Sequence, residues 1–210
     1  MKSLTGATWP SRLRSLFNEA RQGQPHADPP EARYYGAYNM LFLSCFGGPY
    51  LPYFTVAPNS PPLRLSLRHT DHPMVCFVVS DTNGHPVLVA EIKDDSWADR
   101  ADLRAEADDR MRQWVKAVLP DCRLPRVYGL SLLGTSLRVY VGNVATGEIE
   151  PALATCPSSG RNLPNDFLEG AWNVDIISDE GFTKMKEIVG YIVANLYCTK
   201  EGKTCSLIDL

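Results

Sequence analysis

Apolar residues recur along this chain at two spacings, and the change from one to the other marks its elements. Leu13, Leu16, Phe17 and Ala20 fall on one face of a helix over residues 12–22, which Ser11 can cap. Tyr34, Tyr38, Leu41, Phe42 and Cys45 mark a second helix. Asp28-Pro29-Pro30-Glu31 opens it and Gly47-Gly48 closes it. The proline-rich stretch 49–62 has room for a short strand at 53–56, and the alternation over 63–68 reads as a half-buried strand. Two apolar runs follow, 72–80 and 86–93, joined by Asp81-Thr82-Asn83-Gly84, where Asn-Gly supplies the positive φ angles of a tight hairpin. The period then lengthens. Leu103, Ala107, Met111, Trp114, Val115 and Val118 form the stripe of a long helix over 96–119. At about 100° per residue, Arg104 falls inside that stripe and Asp108 at its edge. Strands over 126–133 and 136–142 meet at Gly134-Thr135, a short strand ends near Glu150, and Asp179 caps a last helix over 180–197.

Helix, helix, strands, helix, strands, helix is the order of an α/β fold. The expected architecture is a three-layer sandwich, a mixed central sheet flanked by helices. Tight hairpins exclude an all-parallel dinucleotide-binding sheet, and the chain carries no G-x-G-x-x-G. One domain over residues 1–210 is expected, with its core at about 28–142 and the helices 11–22 and 180–197 added to it. Trp97 and Trp114 read as packing residues, and Trp172 as a cover for one end of the sheet.

Composition changes this picture little. The net charge of −3 and pI near 5.8 give no global positive field for nucleic acid, though a local basic strip from Arg64, Arg68, Arg104, Arg123, Arg126 and Arg138 is compatible with them. The six cysteines show no C-x-x-C and no metal-finger spacing, and Cys45 and Cys76 sit in apolar runs as reduced core residues. No apolar run is long enough to span a membrane and no signal peptide is evident, so an intracellular location in cytoplasm or nucleus is expected.

The chemistry lies at the end of the run 86–93. Glu91 and Lys93 are two residues apart on a strand and share a face. Two charges at the end of an apolar strand need partners or a ligand. Asp71 stands before the preceding strand and is expected nearby, with Asp81 as the other available aspartate. Two carboxylates, the Ile92 backbone carbonyl and a lysine make a site for Mg²⁺ or Mn²⁺. A lysine there can orient a metal-bound water and offset charge on a phosphorane-like transition state.

These residues resemble the PD-(D/E)XK nuclease superfamily. Its signature is an aspartate opening the second core strand and Glu-x-Lys near the end of the third, here Asp71 and Glu91-Ile92-Lys93. Residues 89–93 (Val-Ala-Glu-Ile-Lys), 107–112 (Ala-Asp-Asp-Arg-Met-Arg), 128–134 (Tyr-Gly-Leu-Ser-Leu-Leu-Gly) and 147–151 (Gly-Glu-Ile-Glu-Pro) also resemble uncharacterised fungal proteins associated with that superfamily. The resemblance implies a restriction-endonuclease-like fold and a metal-dependent nuclease acting on DNA or RNA. Its catalytic residues would be Asp71, Glu91, Lys93 and Asp108, the last fitting best, ahead of Arg104 and Gln113, the polar position on the helix after the third strand. Some members add an acidic residue from the first core helix. Glu31 is the candidate, with a first-turn acid that complements the helix dipole as its favoured role. The alternative reading is a catalytically inactive nuclease-like fold that binds nucleic acid or protein.

Overall fold

The computed structural model describes residues 6–23, 29–47, 54–58, 75–155 and 163–201. Helix α1 (Ser11–Gln22) buries Leu13, Phe17 and Ala20, as the stripe requires. Ser11 does not cap it: Pro10 precedes the first turn, and no side chain accepts there. The second helical segment begins as a 3-10 turn (Pro30–Tyr34), where proline needs no amide donor, and continues as α2 (Tyr35–Phe46).

Among the described residues, six strands follow one another across the sheet in chain order: β1 (Phe54–Pro58), β2 (Val75–Asp81), β3 (Pro86–Lys93), β4 (Arg126–Leu133), β5 (Ser136–Asn143) and β6 (Ile149–Glu150). A further two-residue strand, β7 (Val174–Asp175), pairs with β5. Neighbours are antiparallel except β3 and β4, which are parallel. A parallel pair needs a long crossover, and helix α3 (Ala101–Val118), entered through a 3-10 turn (Asp95–Asp99), supplies it. The sheet is therefore mixed, and the fold is α/β, with four α-helices among the described residues, α4 (Asp179–Glu201) being the last of them. The strand expected over 63–68 lies outside the described residues. The first described strand is the short one within the proline-rich stretch, extended to Pro58.

The hairpin β2–β3 has its turn where Asn83-Gly84 predicts it. Asp81 Oδ1 accepts from the amides of Asn83 at 2.8 Å and His85 at 2.9 Å. Burial works against the charge on Asp81, but those bonds and His85 hold its carboxyl below the usual range. Asp81 serves the turn, at the opposite end of the hairpin from Glu91.

Phe77 of β2 meets Phe42 of α2 with ring centroids 5.0 Å apart, and Tyr128 of β4 meets Tyr191 of α4 at 5.8 Å. Helix α3 comes down on β4 where Gly129 leaves the backbone bare. A Cβ there would stand 2.8 Å from Met111 Sδ and 2.5 Å from a Val115 methyl. That close approach brings the polar flanks of α3 against the sheet. Cys45, Cys76 and Cys122 are buried and free. Among the described residues no helix is long and apolar enough to cross a membrane.

Candidate functional site

Strand β3 is buried along its whole length, with Glu91 2% exposed and Lys93 1% exposed. Two charges held so far from water must be answered inside the protein. Helix α3 answers the first: Arg110 Nη2 lies 2.7 Å from Glu91 Oε1. Beyond this contact, neither Glu91 oxygen has a well-aligned hydrogen-bond partner among the described residues. Burial pushes the Glu91 carboxyl above its ordinary value, against the downward pull of Arg110 and Lys93.

The segment before α2 answers the second. Lys93 Nζ donates to Glu31 Oε1 at 3.4 Å, and Glu31 is itself buried. Trp97, on the 3-10 turn after β3, lays its ring 4.6 Å from the same ammonium, a cation–π contact. The favoured role of Glu31, a first-turn acid working on the helix dipole, is thus corrected. Its carboxylate is the counter-charge of Lys93, and the turn carrying it is 3-10, not the start of an α-helix.

A clasp of charges surrounds this strand end. Arg33 Nη2 donates to Asp94 Oδ2 at 2.7 Å and to Asp95 Oδ2 at 2.6 Å, and the Tyr34 hydroxyl donates to Asp95 at 2.6 Å. Asp94 Oδ1 accepts from the Ser96 amide, capping the 3-10 turn. Gly134, with φ +59, brings the β4–β5 turn against Asp95, and its carbonyl accepts from the Tyr38 hydroxyl at 2.7 Å. The break after Lys93 is thereby tied to α2 and to the neighbouring hairpin.

The second carboxylate is not delivered by the described part of β2. The register sets Cys76 opposite Glu91 and Val75 opposite Ile92. Burial raises the Cys76 thiol from 9.0 to about 11 and keeps it protonated near neutrality. Asp71 lies outside the described residues. Ile92 belongs to a strand paired on both sides, with Val75 and with Leu132, and is fully buried.

Asp108 is brought to the sheet but not to Glu91. It is 3% exposed and accepts from Arg112 Nε at 2.8 Å and from the Tyr140 hydroxyl at 2.7 Å, with Arg138 Nη1 at 3.3 Å. Tyr140 and Arg138 belong to β5, two strands from β3, or about 9–10 Å across the sheet. Arg112 to Asp108 is an i, i+4 pair of the expected ladder, whereas Arg104 leaves that ladder. It donates to the carbonyls of Ala98, Asn165 and Phe167 at 2.6, 2.6 and 2.9 Å.

The residue that sequence reasoning misses is Arg110. At about 100° per residue it lies on the Leu103 side of the α3 stripe, as close to its centre as Asp108 does on the other. The two flanks of α3 do different work. Arg110 faces β3, and Arg104, Asp108 and Arg112 face β5 and the loop carrying residues 165–172.

A divalent cation needs several oxygen ligands. Glu91 faces a guanidinium and a cysteine, and among the described residues no three histidine, cysteine, aspartate or glutamate side chains gather to hold a metal. The described part of this donor set, which leaves out Asp71, does not by itself fit Mg²⁺ or Mn²⁺. Comparison with protein-family models, with curated proteins and with solved structures finds no match.

Proposed function

We propose that this chain is a restriction-endonuclease-like α/β domain that works by binding a protein partner and does not cut phosphodiester bonds. One observation carries this reading: Glu91 and Lys93 are buried and each is neutralised from within, by Arg110 and by Glu31. A phosphodiester cannot reach groups that water barely touches. A divalent cation would have to displace an arginine from the one carboxylate it needs.

The three-layer sandwich is part of this proposal. Residues paired across the sheet share a face. Phe77, Ala90 and Leu130 therefore point one way, and Val89 and Gly129 the other. Helix α2 meets Phe77, and α3 closes on Gly129, which supports helices on both faces.

A protein partner is favoured over nucleic acid because two of the four described arginines of the expected basic strip are spent inside the fold. Arg104 is taken by three carbonyls and Arg138 lies on Asp108. Of the six arginines expected in that strip, Arg64 and Arg68 lie outside the described residues, and only Arg123 and Arg126 are exposed among those described.

A second reading, a metal-dependent nuclease, is favoured by the gathering of Glu31, Glu91 and Lys93 at one strand end and by Glu91 oxygens that lack a well-aligned hydrogen-bond partner among the described residues. It needs Asp71 beside them and Arg110 removed. One assay separates the readings: incubation of plasmid, single-stranded DNA and RNA with Mg²⁺ or Mn²⁺, for the wild type and Lys93→Met. No cleavage above background by the wild type is expected. Metal-dependent cleavage by the wild type that Lys93→Met abolishes would establish the nuclease instead. Salt-sensitive capture of uncut nucleic acid would replace the protein partner.

A further inference from the structure

On the face of the sheet away from α3, a cleft of about 560 Å³ lies between α4 and strands β4 to β6. Register builds its floor. Tyr128 of β4 stands opposite Val141 of β5, and Val141 opposite Glu150 of β6. Residues paired across strands share a face, so the three form one row. It ends in a carboxylate two strand spacings, or about 9–10 Å, from the tyrosine. Val139 lies beside Val141 on the same face. The wall comes from α4. Lys184, Glu187, Ile188 and Tyr191 line it, at spacings that fall on one side of a helix. Tyr191 meets Tyr128 edge to face, with ring centroids 5.8 Å apart and planes at 74°, and so joins wall to floor.

The floor is apolar, and both its valines are half-buried. Strand β6 stops at Glu150, because Pro151 has no amide hydrogen with which to continue the ladder. A second cleft, of about 430 Å³, shares Val139, Pro151 and Lys184 with the first and carries the trough on toward Asn173 and Val174. The trough is open along the sheet edge, whereas small-molecule sites enclose most of their ligand. Its charge is simple. Lys184 is spent on Glu187, 3.1 Å away, and that pair is neutral as a whole. The charge of the first cleft's lining is therefore that of Glu150, whose side chain is exposed. Arg126, two residues before Tyr128, has its guanidinium carbon 5.3 Å from the Tyr191 centroid, at the opposite end of the row from Glu150.

We propose that a partner protein docks here by laying a lysine side chain in the trough, its aliphatic stem on Val139 and Val141 and its ammonium on Glu150. Lysine covers apolar surface with its stem while its head stays charged and wet. An apolar floor that ends in an exposed carboxylate is the matching surface. The same carboxylate repels an acidic or nucleic-acid ligand. This site deepens the partner-binding reading and rests on it, but makes no use of Glu91 or Lys93.

Titration of the ¹⁵N-labelled full chain tests this by amide shifts. The probes are acetyl-Val-Lys-Val-amide, the same peptide with norleucine for lysine, and butylamine. Saturable shifts at Val139, Val141, Glu150 and Ile188 are expected with the lysine peptide, at millimolar affinity. The norleucine peptide keeps the stem and loses the ammonium. It is expected to bind about fivefold more weakly, the worth of a partly exposed ion pair. Glu150→Gln, at an exposed side chain, is expected to weaken the lysine peptide by the same factor and leave the norleucine peptide unchanged. Shifts that are absent or confined to other residues, equal affinity for the two peptides, or unchanged affinity in Glu150→Gln would overturn the site. Butylamine binding as tightly as the lysine peptide would make the occupant a free amine and overturn a protein partner here. Metal-dependent cleavage in the nuclease assay defeats the partner-binding reading itself, whereas loss of peptide binding without cleavage defeats this site alone.

Discussion

At the scale of single residues, the chemistry of β3 is decided by what stands opposite each charge. Glu91 is legible in the sequence as a costly buried carboxylate, but its answer, Arg110, comes from α3 and is hidden for a reason. A stripe drawn from apolar residues treats charges at its rim as solvated, and Arg110 reaches inward only because Gly129 lets the helix come close. Breaking a buried pair leaves one charge unanswered, at a cost of about 3–5 kcal/mol, whereas replacing both members with apolar groups is often neutral. Arg110→Ala is therefore expected to lower the urea midpoint sharply, and Glu91→Leu with Arg110→Met to restore most of it. If Arg110→Ala leaves the midpoint within about 1 kcal/mol of wild type, the pair is not what holds Glu91.

At the scale of elements, periodicity alone locates the helices, the β2–β3 hairpin with its Asn83-Gly84 turn, the β4–β5 hairpin and the polar break after Lys93. The register that sets Cys76 opposite Glu91 is not legible, because the run 72–80 shows no alternation to choose it and one residue of slip turns every side chain over. Strand β7 also escapes, since two residues carry no period and it exists only by pairing with β5. The packing of α3 on β4 makes the element-scale prediction. Gly129→Val places a branched side chain against Met111 and Val115, and overpacking of this kind costs about 1–3 kcal/mol. Chemical denaturation should register that loss, together with weakened protection of amides in the middle of α3. A neutral substitution would mean that α3 can ride higher without cost, and that the Arg110 contact is not enforced by the sheet.

At the scale of the whole molecule, the core is closed over groups that are neutral at physiological pH. Burial raises the thiols of Cys45, Cys76 and Cys122 and the phenols of Tyr34, Tyr38, Tyr128 and Tyr140. For each, the unfolded chain releases its proton first. The folded state then binds more protons, and stability falls as pH rises. For Cys76 that window opens at 9.0 and closes at about 11. The urea midpoint is expected to hold steady to about pH 8 and to drop by about pH 10.5. A flat profile over that range would mean these groups meet water in the folded protein. The central claim concerns the other buried charges, the carboxylate and amine that resemble a nuclease centre and are answered from inside. It is tested most directly by anomalous diffraction from crystals of the full chain soaked in Mn²⁺. The expected result is no anomalous peak at Glu91, with Arg110 against its carboxylate and Glu31 against Lys93. A manganese ion bound to Glu91 and Asp71, with Arg110 swung away, would contradict it.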